Sequence, residues 1–413
     1  MTADDADLNQ NIVGHFAPDP PAKLGVAVSG GGDSVALLVL LSEWAAADLH
    51  VVTVDHGLRA EAADEARMVA QLCHDLGASH DILKWQGADS SGNLMDQARR
   101  ARYRLMAEWA QARGIGDVAL GHTRDDLAET FLIRLARGAG LDGLSAMSAR
   151  RQHGGVVFHR PLLGVSRAAL RDVLQARGTG WAEDPTNDNP AFDRARARLV
   201  LETLEPLGVT TDGLAHVAQT LRDARDALEQ VSLQVARQHV RFDTGDVMLA
   251  RDVLIDQPKE VARRLLQAAF LWVAGPGYPP RGAAQMRVLE AVAAGDEMTL
   301  QGCRMLHRRG DIRVCREWKA VADQRSAPGD VWDGRWVLDG PEDDVHVAAL
   351  GEAGLEHCPD RKSTGRPAAS LMASPAVWQG DRLIAAPLAG LANGWSVRLV
   401  RASEAFFTGL GES

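Results

Sequence analysis

The sequence predicts an α/β protein. A first half built on a parallel sheet is followed by a mainly helical region and a small β-rich C-terminal part. Three observations carry this. Short apolar runs alternate with helical-period segments from Lys23 to Leu163, the pattern of a parallel sheet covered on both faces. From Asp212 the apolar spacing is helical over long stretches. Beyond Glu317 the chain is rich in Pro, Gly and Trp, with only short β-like runs.

Each element follows in order. Leu24–Val28 is a short buried strand, Asp33–Ala47 a helix and His50–Val54 a second strand. Glu61–Leu76 is an amphipathic helix with Ala66, Val69, Ala70 and Cys73 on one face. Asp81–Trp85 is a strand, Asn93–Arg113 a long helix, Val118–Gly121 a strand and Arg124–Arg137 a helix. In such a sheet, ligands bind at the carboxyl ends of the strands. Later helices run from Asp212 to about Arg241, over Lys259–Ala274 and over Ala283–Ala294. Met298–Glu317 reads as strands around a turn at Arg309-Gly310-Asp311, and Arg335–Leu338 and Ser396–Val400 are β-like. Boundaries near Pro206–Asp212 and Glu317–Gly329 give three domains, 1–205, 206–320 and 321–413.

With 413 residues, 46% hydrophobic and 24% charged, the chain buries more than one core. This excludes a disulfide mini-scaffold, a disordered tail and a fibre. The net charge of −10 confines any polyanion-binding surface to local patches. Only 5% of residues are aromatic, with two Tyr, which disfavours an extended base-stacking platform. Cys73, Cys303, Cys315 and Cys358 form no CxxC pair and fit no common zinc spacing. They read as buried thiols; a hairpin turning at Arg309-Gly310 would allow Cys303 and Cys315 to face each other, and a pair of packed thiols is the equal alternative. The acidic N-terminus lacks the features of a signal peptide. The longest apolar run, Val35–Leu41, falls far short of the roughly 20 residues a bilayer span needs. The expectation is a cytoplasmic protein with no membrane partner and no stable protein partner.

The strongest local signal is Ser29-Gly30-Gly31-Gly32-Asp33-Ser34, between the first strand and the helix after it. Glycines let a backbone approach a ligand and turn N–H groups inward, and the helix adds its positive end. The plain alternative is a strand-to-helix turn capped by Asp33 or Ser34. No Lys follows the glycines, so this is not a loop that holds a γ-phosphate for transfer. Asp33 would repel a polyphosphate unless Mg²⁺ bridged the two. A loop gripping the tail through metal suits loss of pyrophosphate and attack on the α-phosphate.

Further segments recur in order. They are Val54-Asp55-His56-Gly57-Leu58-Arg59, Ala98-Arg99-Arg100-Ala101-Arg102-Tyr103 and Gly121-His122-Thr123-Arg124-Asp125-Asp126-Leu127-Ala128-Glu129-Thr130. Gly143-Leu144-Ser145-Ala146-Met147, Arg160-Pro161-Leu162-Leu163 and Asp184-Pro185-Thr186-Asn187 follow. Together these resemble the tRNA(Ile)-lysidine synthase family of pyrophosphatase-loop ATP-dependent adenylating enzymes, over residues 20–205. The resemblance implies an adenine-nucleotide alpha-hydrolase-like, Rossmann-like first domain. It also implies a two-step reaction. ATP adenylates O2 of the wobble cytidine in a CAU-anticodon tRNA(Ile). The ε-amine of L-lysine then attacks C2 and expels AMP, which moves codon reading from AUG to AUA.

The residues suit that chemistry. Arg99 and Arg102 lie three apart on one helix face, able to reach one α-phosphate; a solvated basic face is the alternative. His122, Asp125 and Asp126 stand at a strand's carboxyl end. One aspartate is expected to bind metal or the lysine amine, and Asp125 alternatively caps the helix. His122 is expected either to contact phosphate or to transfer a proton; a structural histidine at the strand end is the alternative. Asp55 and His56 hold the equivalent place on the second strand, for ribose or adenine contacts or as turn residues. The site read this way has Ser29, Gly30, Gly31, Gly32, Asp33, Ser34, Asp55 and His56 on ATP, and Mg²⁺ on Asp33 and Asp126.

Arg194, Arg196 and Arg198 alternate in sequence; an extended segment would gather them on one face for tRNA phosphates, whereas a helix would splay them. A basic surface strip is the alternative. Members of the family commonly carry Asn after the first Arg of this segment; here Ala195 stands there. Tests of tRNA identity would fall to the second half, whose candidate cations are Arg263, Arg264, Arg304, Arg308, Arg309, Arg361 and Lys362. Two rivals remain. One is a tRNA cytidine 2-thiolase of the same superfamily, disfavoured because Cys73 is the lone cysteine of the first half. The other is a non-catalytic tRNA-binding protein, disfavoured because Asp33, Ser34, Asp125 and Asp126 are all present.

Overall fold

The computed structural model describes residues 3–55, 62–85, 94–145, 147–183, 189, 191–275, 282–341 and 343–411. The chain forms two compact units, 1–225 and 226–413.

In the first unit α1 (Ala3–Phe16) precedes β1 (Lys23–Ala27). The chain then alternates through α2 (Gly32–Trp44), β2 (Asp48–Asp55), α3 (Ala62–Asp75), β3 (Ser79–Lys84), α4 (Leu94–Ala112), β4 (Asp117–Leu120) and α5 (Arg124–Ala136). A short α6 (Leu141–Leu144), a hairpin of β5 (Arg150–His153) and β6 (Val156–His159), α7 (Arg167–Ala176) and α8 (Asp193–Leu204) follow. The sheet order is β3-β2-β1-β4-β6-β5. All strands but β5 are parallel.

Alternation along β1 feeds two cores. Leu24, Val26 and Val28 pack on one face with α1, α2 and α7, while Ala27 joins Met106, Trp109, Val118 and Phe158 on the other. β1 is the centre of the sheet, and every side chain of α2 from Val35 to Leu41 is buried, as a helix apolar all round requires. On α3, Ala66, Val69 and Cys73 form the buried stripe; Ala70 faces solvent. After β1 the chain builds β2 and β3 on one side, then crosses to place β4 on the other. The crevice of this sheet therefore lies between the carboxyl ends of β1 and β4, at Ser29 and Gly121.

The long helix α9 (Thr211–His239) carries the division between units within it. Its first turns belong to the first unit because Ala215 and Ala218 pack on Leu127 and Phe131 of α5. The boundary expected near Pro206–Asp212 thus moves to Arg225.

The second unit continues with β7 (Val240–Asp243), β8 (Asp246–Ala250), α10 (Arg251–Asp256), α11 (Lys259–Ala274) and α12 (Gly282–Ala294). Then come β9 (Met298–Leu300), β10 (Cys303–Arg308) and β11 (Asp311–Arg316). Their antiparallel sheet, β7-β8-β11-β10-β9, packs on α11. The turn at Arg309-Gly310 has φ of 52° and 87°, as a two-residue hairpin demands. Cys303 pairs with Arg316 and Cys315 with Arg304 in register, so the two thiols leave opposite faces of the sheet and do not face each other.

The chain ends with β12 (Arg325–Ser326), β13 (Trp336–Asp339), β14 (His346–Ala349), α13 (Gly351–Glu356), α14 (Ala368–Met372), β15 (Pro375–Gln379), β16 (Arg382–Ala385), β17 (Ser396–Leu399) and α15 (Glu404–Gly411). Phe406 and Leu410 of α15 bury themselves among Val273 and Trp272 of α11. That shared core makes one unit of the middle and last regions. No described helix is long and apolar enough to cross a membrane.

Candidate active site

The loop after β1 folds as its residues require. Gly30 has φ of +93°, a conformation that favours glycine. A Cβ on Gly32 would come within 3.3 Å of Trp181, and Ala182 N–H donates to the Gly30 carbonyl at 2.9 Å. The Ser34 hydroxyl accepts from Ser29 N–H at 3.1 Å and donates to the Gly31 carbonyl at 2.9 Å. Ser34 therefore ties the loop closed. The N-cap of α2 is Gly31, and no side chain caps the helix, which leaves its positive end open to an anion. Neither Asp33 nor Ser34 is the cap of the plain-turn alternative.

The loop after β4 touches it. A Cβ on Gly121 would meet the Asp33 carbonyl and Ser34 Cα at 2.9 Å, so glycine lets the two loops meet backbone to backbone. Thr123 then caps α5 in a capping box, with Asp126 accepting from Thr123 N–H at 2.9 Å. The capping carboxylate is Asp126. Asp125 instead accepts from Arg167 N–H at 2.7 Å, at the start of α7.

One wall of the site is acidic. Arg167 joins it, reaching Asp33 at 3.1 Å, Glu129 at 3.2 Å and Asp126 at 3.6 Å. Arg194 pairs with Asp126 at 3.4 Å and Arg198 with Glu129 at 2.7 Å. Burial raises the Asp33 pKa above the ordinary carboxylate value; Arg167 opposes this, and Asp126 and Asp125 add to it. At Asp126 burial acts in the same sense, but Arg194, Thr123 and Arg167 outweigh it and lower the pKa. Glu129 is 1% exposed, and among the described residues its buried Oε2 has no hydrogen-bond partner.

The adjoining wall is basic. α4 sets Arg99 over the Tyr103 ring, with Arg151 also 5.6 Å from its centroid. Arg160 donates to the Tyr103 hydroxyl at 3.0 Å and to His122 Nδ1 at 3.3 Å. Burial depresses the Arg102 pKa, and Arg99, Arg194 and Arg160 add repulsion that Tyr103 partly offsets. Among the described residues Arg102 has no carboxylate partner. Burial would raise the Tyr103 pKa, yet Arg160, Arg99 and Arg102 together lower it. Cations gathered this way cost free energy until an anion arrives.

The structure thus brings together Ser29–Ser34, Arg99, Arg102, His122, Asp125, Asp126 and Arg194. Asp55 ends β2, and His56 lies outside the described residues, as does Asp184-Pro185-Thr186-Asn187. The alternating arginines are helical, on α8, and splay. Arg194 and Arg198 turn toward α5, whereas Arg196 pairs with Asp193 in solvent. Sequence reasoning missed Arg167 and Glu129, and assigned no role to Arg160 or Tyr103. Arg160 was visible within Arg160-Pro161-Leu162-Leu163; nothing in the local pattern marks Arg167.

As for Mg²⁺, the hard oxygens fit, in part. Among the described residues no three His, Cys, Asp or Glu side chains converge as a metal nest. Asp33 accepts from Arg167 through Oδ2 and keeps Oδ1 for another cation, which suits an ion shared with phosphate oxygens. Asp126 fits less well, since both its oxygens are engaged by Thr123 and the two arginines. The four cysteines are free and buried. Burial pushes Cys73 up to about 11, and Cys303 and Cys315 up to about 12. Such thiols stay protonated and unreactive at neutral pH.

Residues 5–204 match the family model of the PP-loop domain. The chain is 49% identical to the tRNA(Ile)-lysidine synthase of Ruegeria pomeroyi, over 99% of each chain. It is 37% identical to that of Zymomonas mobilis, over 71% of this chain and 88% of the relative. Among solved structures it is similar to the U34-tRNA thiolase NcsA from Methanococcus maripaludis with its [4Fe-4S] cluster. That match has 16% identity and a TM-score of 0.47, and covers 53% of this chain and 79% of that one. On its 49% identity over nearly the whole of the Ruegeria pomeroyi relative, and with residues 5–204 matching the PP-loop domain, the chain belongs to the tRNA(Ile)-lysidine synthase family.

Proposed function

We propose that this site joins L-lysine to C2 of the wobble cytidine of a CAU-anticodon tRNA(Ile), at the expense of ATP. The observation that carries the reading is the two-walled site: a cationic wall beside an acidic one, at the meeting of two strand ends. The reaction needs both. Its first step puts negative charge on an α-phosphate, and its second brings in lysine, a cation at neutral pH whose ε-ammonium must lose a proton before it attacks.

In the first step cytidine O2 attacks the α-phosphate and pyrophosphate leaves. The uncapped end of α2 and the loop backbone receive the phosphate tail. Arg99 and Arg102 take the charge that develops on the α-phosphate. Asp33 would hold Mg²⁺ with the tail, and the ion would neutralise the departing pyrophosphate. In the second step the lysine ε-amine attacks C2 and AMP leaves. The unpartnered Glu129 Oε2 is the place for the lysine's ammonium, since a buried carboxylate oxygen seeks a donor. Asp125 stands one turn earlier on the same helix. The buried, protonated thiols give sulfur transfer no thiolate to use. A cytoplasmic setting supplies ATP, lysine and tRNA together.

The test is a reaction of full-length protein with tRNA(Ile), ATP, Mg²⁺ and labelled lysine, read by nucleoside analysis. Lysidine at the wobble position, with AMP and pyrophosphate formed one-to-one, is the expected result. Stoichiometric ADP would refute the proposed attack on the α-phosphate, and label-free tRNA would refute ligation.

A further inference from the structure

We propose that Arg160 is a positioning residue that fixes His122 in its neutral Nε2–H tautomer, so that His122 works as a hydrogen-bond donor and not as a general base. The inference rests on the ligase reading above and assigns a role that the reading leaves open.

Arg160 follows the last residue of β6 and is 3% exposed. Its guanidinium is held at three points. It donates through Nη1 to the Ser148 carbonyl at 2.6 Å, through Nη2 to the Tyr103 hydroxyl at 3.0 Å and through Nε to His122 Nδ1 at 3.3 Å. Tyr103 is itself 6% exposed and lies against Phe158, so the fork has no freedom to turn away.

A guanidinium has donors and no lone pair. The His122 atom facing it must accept, so Nδ1 carries no proton. The proton of a neutral ring is then on Nε2. Burial first, and then the arginines around it, keep the ring neutral. Asp126 on α5 favours the charged form, but burial opposes it, and so do Arg160 beyond β6, Arg102 on α4 and Arg194 on α8. Together they push the ring down to about 3.

Two consequences follow for the chemistry. Nδ1 is committed to Arg160, so it takes no proton from substrate. Nε2–H has no acceptor among the described residues, although the ring stands at the carboxyl end of β4, where substrate must lie. Its acceptor is an oxygen of the bound nucleotide, a phosphate or carbonyl oxygen. Proton removal from the lysine amine must then fall to another group or to solvent.

The experiment uses full-length protein labelled with ¹⁵N-histidine, free of substrate, and two-bond proton–nitrogen correlation. The His122 pattern is identified by its loss in His122→Gln. The expected result is an Nδ1 without proton and an Nε2 with one, unchanged from about pH 6 to about pH 8. A proton on Nδ1, an averaged pattern or an imidazolium in that range would overturn the proposal. In Arg160→Lys, recorded below its unfolding transition, the pattern should become averaged; a retained pattern would mean that Arg160 does not set the tautomer.

Turnover supplies the second readout. Gln places an N–H near the position of Nε2, so His122→Gln should lose less than about tenfold in kcat, whereas His122→Ala should lose about 10²–10³-fold. Loss of about 10²–10⁴ in both, with the acidic limb of the wild-type pH profile removed, would identify a general base instead. If wild type forms no lysidine at all, the ligase reading fails and the tautomer result still stands or falls on its spectrum.

Discussion

The basic wall of the first unit and the arginines of the second unit are partnered in opposite ways. In the second unit Arg313 donates to Asp246 and Asp243 at 2.8 Å each, and Arg316 to Asp333 at 3.0 Å. Arg335 reaches Asp333 at 3.2 Å and the Gly245 carbonyl at 3.0 Å, and Arg366 reaches Asp243 at 3.3 Å. Each cation there has a carboxylate. In the first unit Arg102 has none among the described residues, Arg99 lies on an aromatic ring, and the donors of Arg160 go to uncharged groups. The difference separates two meanings of a buried charge. Where the partner is in the chain, the charge is architecture. Where it is missing, the charge is free to take its partner from a ligand.

The sharpest break of this comparison is a matched pair of variants. Arg335→Met leaves Asp333 to Arg316 alone and orphans the Gly245 carbonyl, so urea unfolding should show a loss of about 3–5 kcal/mol. Arg102→Met removes a cation held against like charges and should leave stability equal or higher. Its kcat should fall about 10²–10³-fold. Equal destabilisation by the two variants would erase the distinction.

A second measurement supplies the missing partner. Pyrophosphate at one hundred times its dissociation constant should stabilise wild type by about 2.7 kcal/mol. The shift should shrink strongly in Arg102→Met. A wild type unmoved by pyrophosphate, ATP or inorganic phosphate would deny that the basic wall awaits an anion.

Asp33 tests the acidic wall. Its pKa is raised, chiefly by burial, so the folded state holds that proton more tightly than the unfolded chain. The stability this gives is present below the unfolded pKa and is lost as pH rises through the raised value. At neutral pH its ionised form is therefore a burden on folding. Asp33→Asn should abolish lysidine formation while its thermal midpoint at pH 7 stays level or rises, with the gain fading in acid. A midpoint that drops at pH 7 would mean that the Arg167 pair matters more to the fold than to catalysis.

Much of the first unit was legible because its signals are local. The glycine run, the alternation of periods and the strand ends all lie within short windows, and they placed Asp33, Arg99, Arg102 and His122 at one crevice. The hairpin of β5 and β6 was missed although Gly154-Gly155 stands between its strands, with φ of 55° and 71°. Its strands are four residues each and too short to show a period. Arg167 and Glu129 were missed for another reason. Each is a charged residue buried by tertiary pairing, and local spacing carries no trace of that. In the second unit Met298–Glu317 was legible as strands, but β7 and β8 of the same sheet were not, because they directly follow a 29-residue helix. The partners of its candidate cations were hidden for the same reason. Arg264 is 8% exposed and pairs with Glu229 and Glu260, and Arg304 and Arg308 both pair with Glu297.

The smallest expected effect divides one helix by the same rule. Arg194, Arg196 and Arg198 share α8, but 100° per residue turns them apart. Arg194 and Arg198 reach the carboxylates of Asp126 and Glu129, which are 5% and 1% exposed. Alanine at either strips a buried carboxylate of a cation, so the loss should appear in kcat and in unfolding. Arg196 has a side chain 54% exposed, and its partner Asp193 is 42% exposed. Such a pair is weak and exchanges readily for a phosphate. Arg196→Ala should therefore leave kcat and unfolding unchanged and act on tRNA affinity alone. Measured across salt, the slope of log K against log salt should flatten by about 0.7–0.9, one phosphate's share. Arg194→Ala and Arg198→Ala should leave that slope where it was. Equal flattening by all three would mean that tRNA reaches the site by drawing Arg194 and Arg198 away from their carboxylates. No flattening by Arg196→Ala would return that residue to a solvated surface pair.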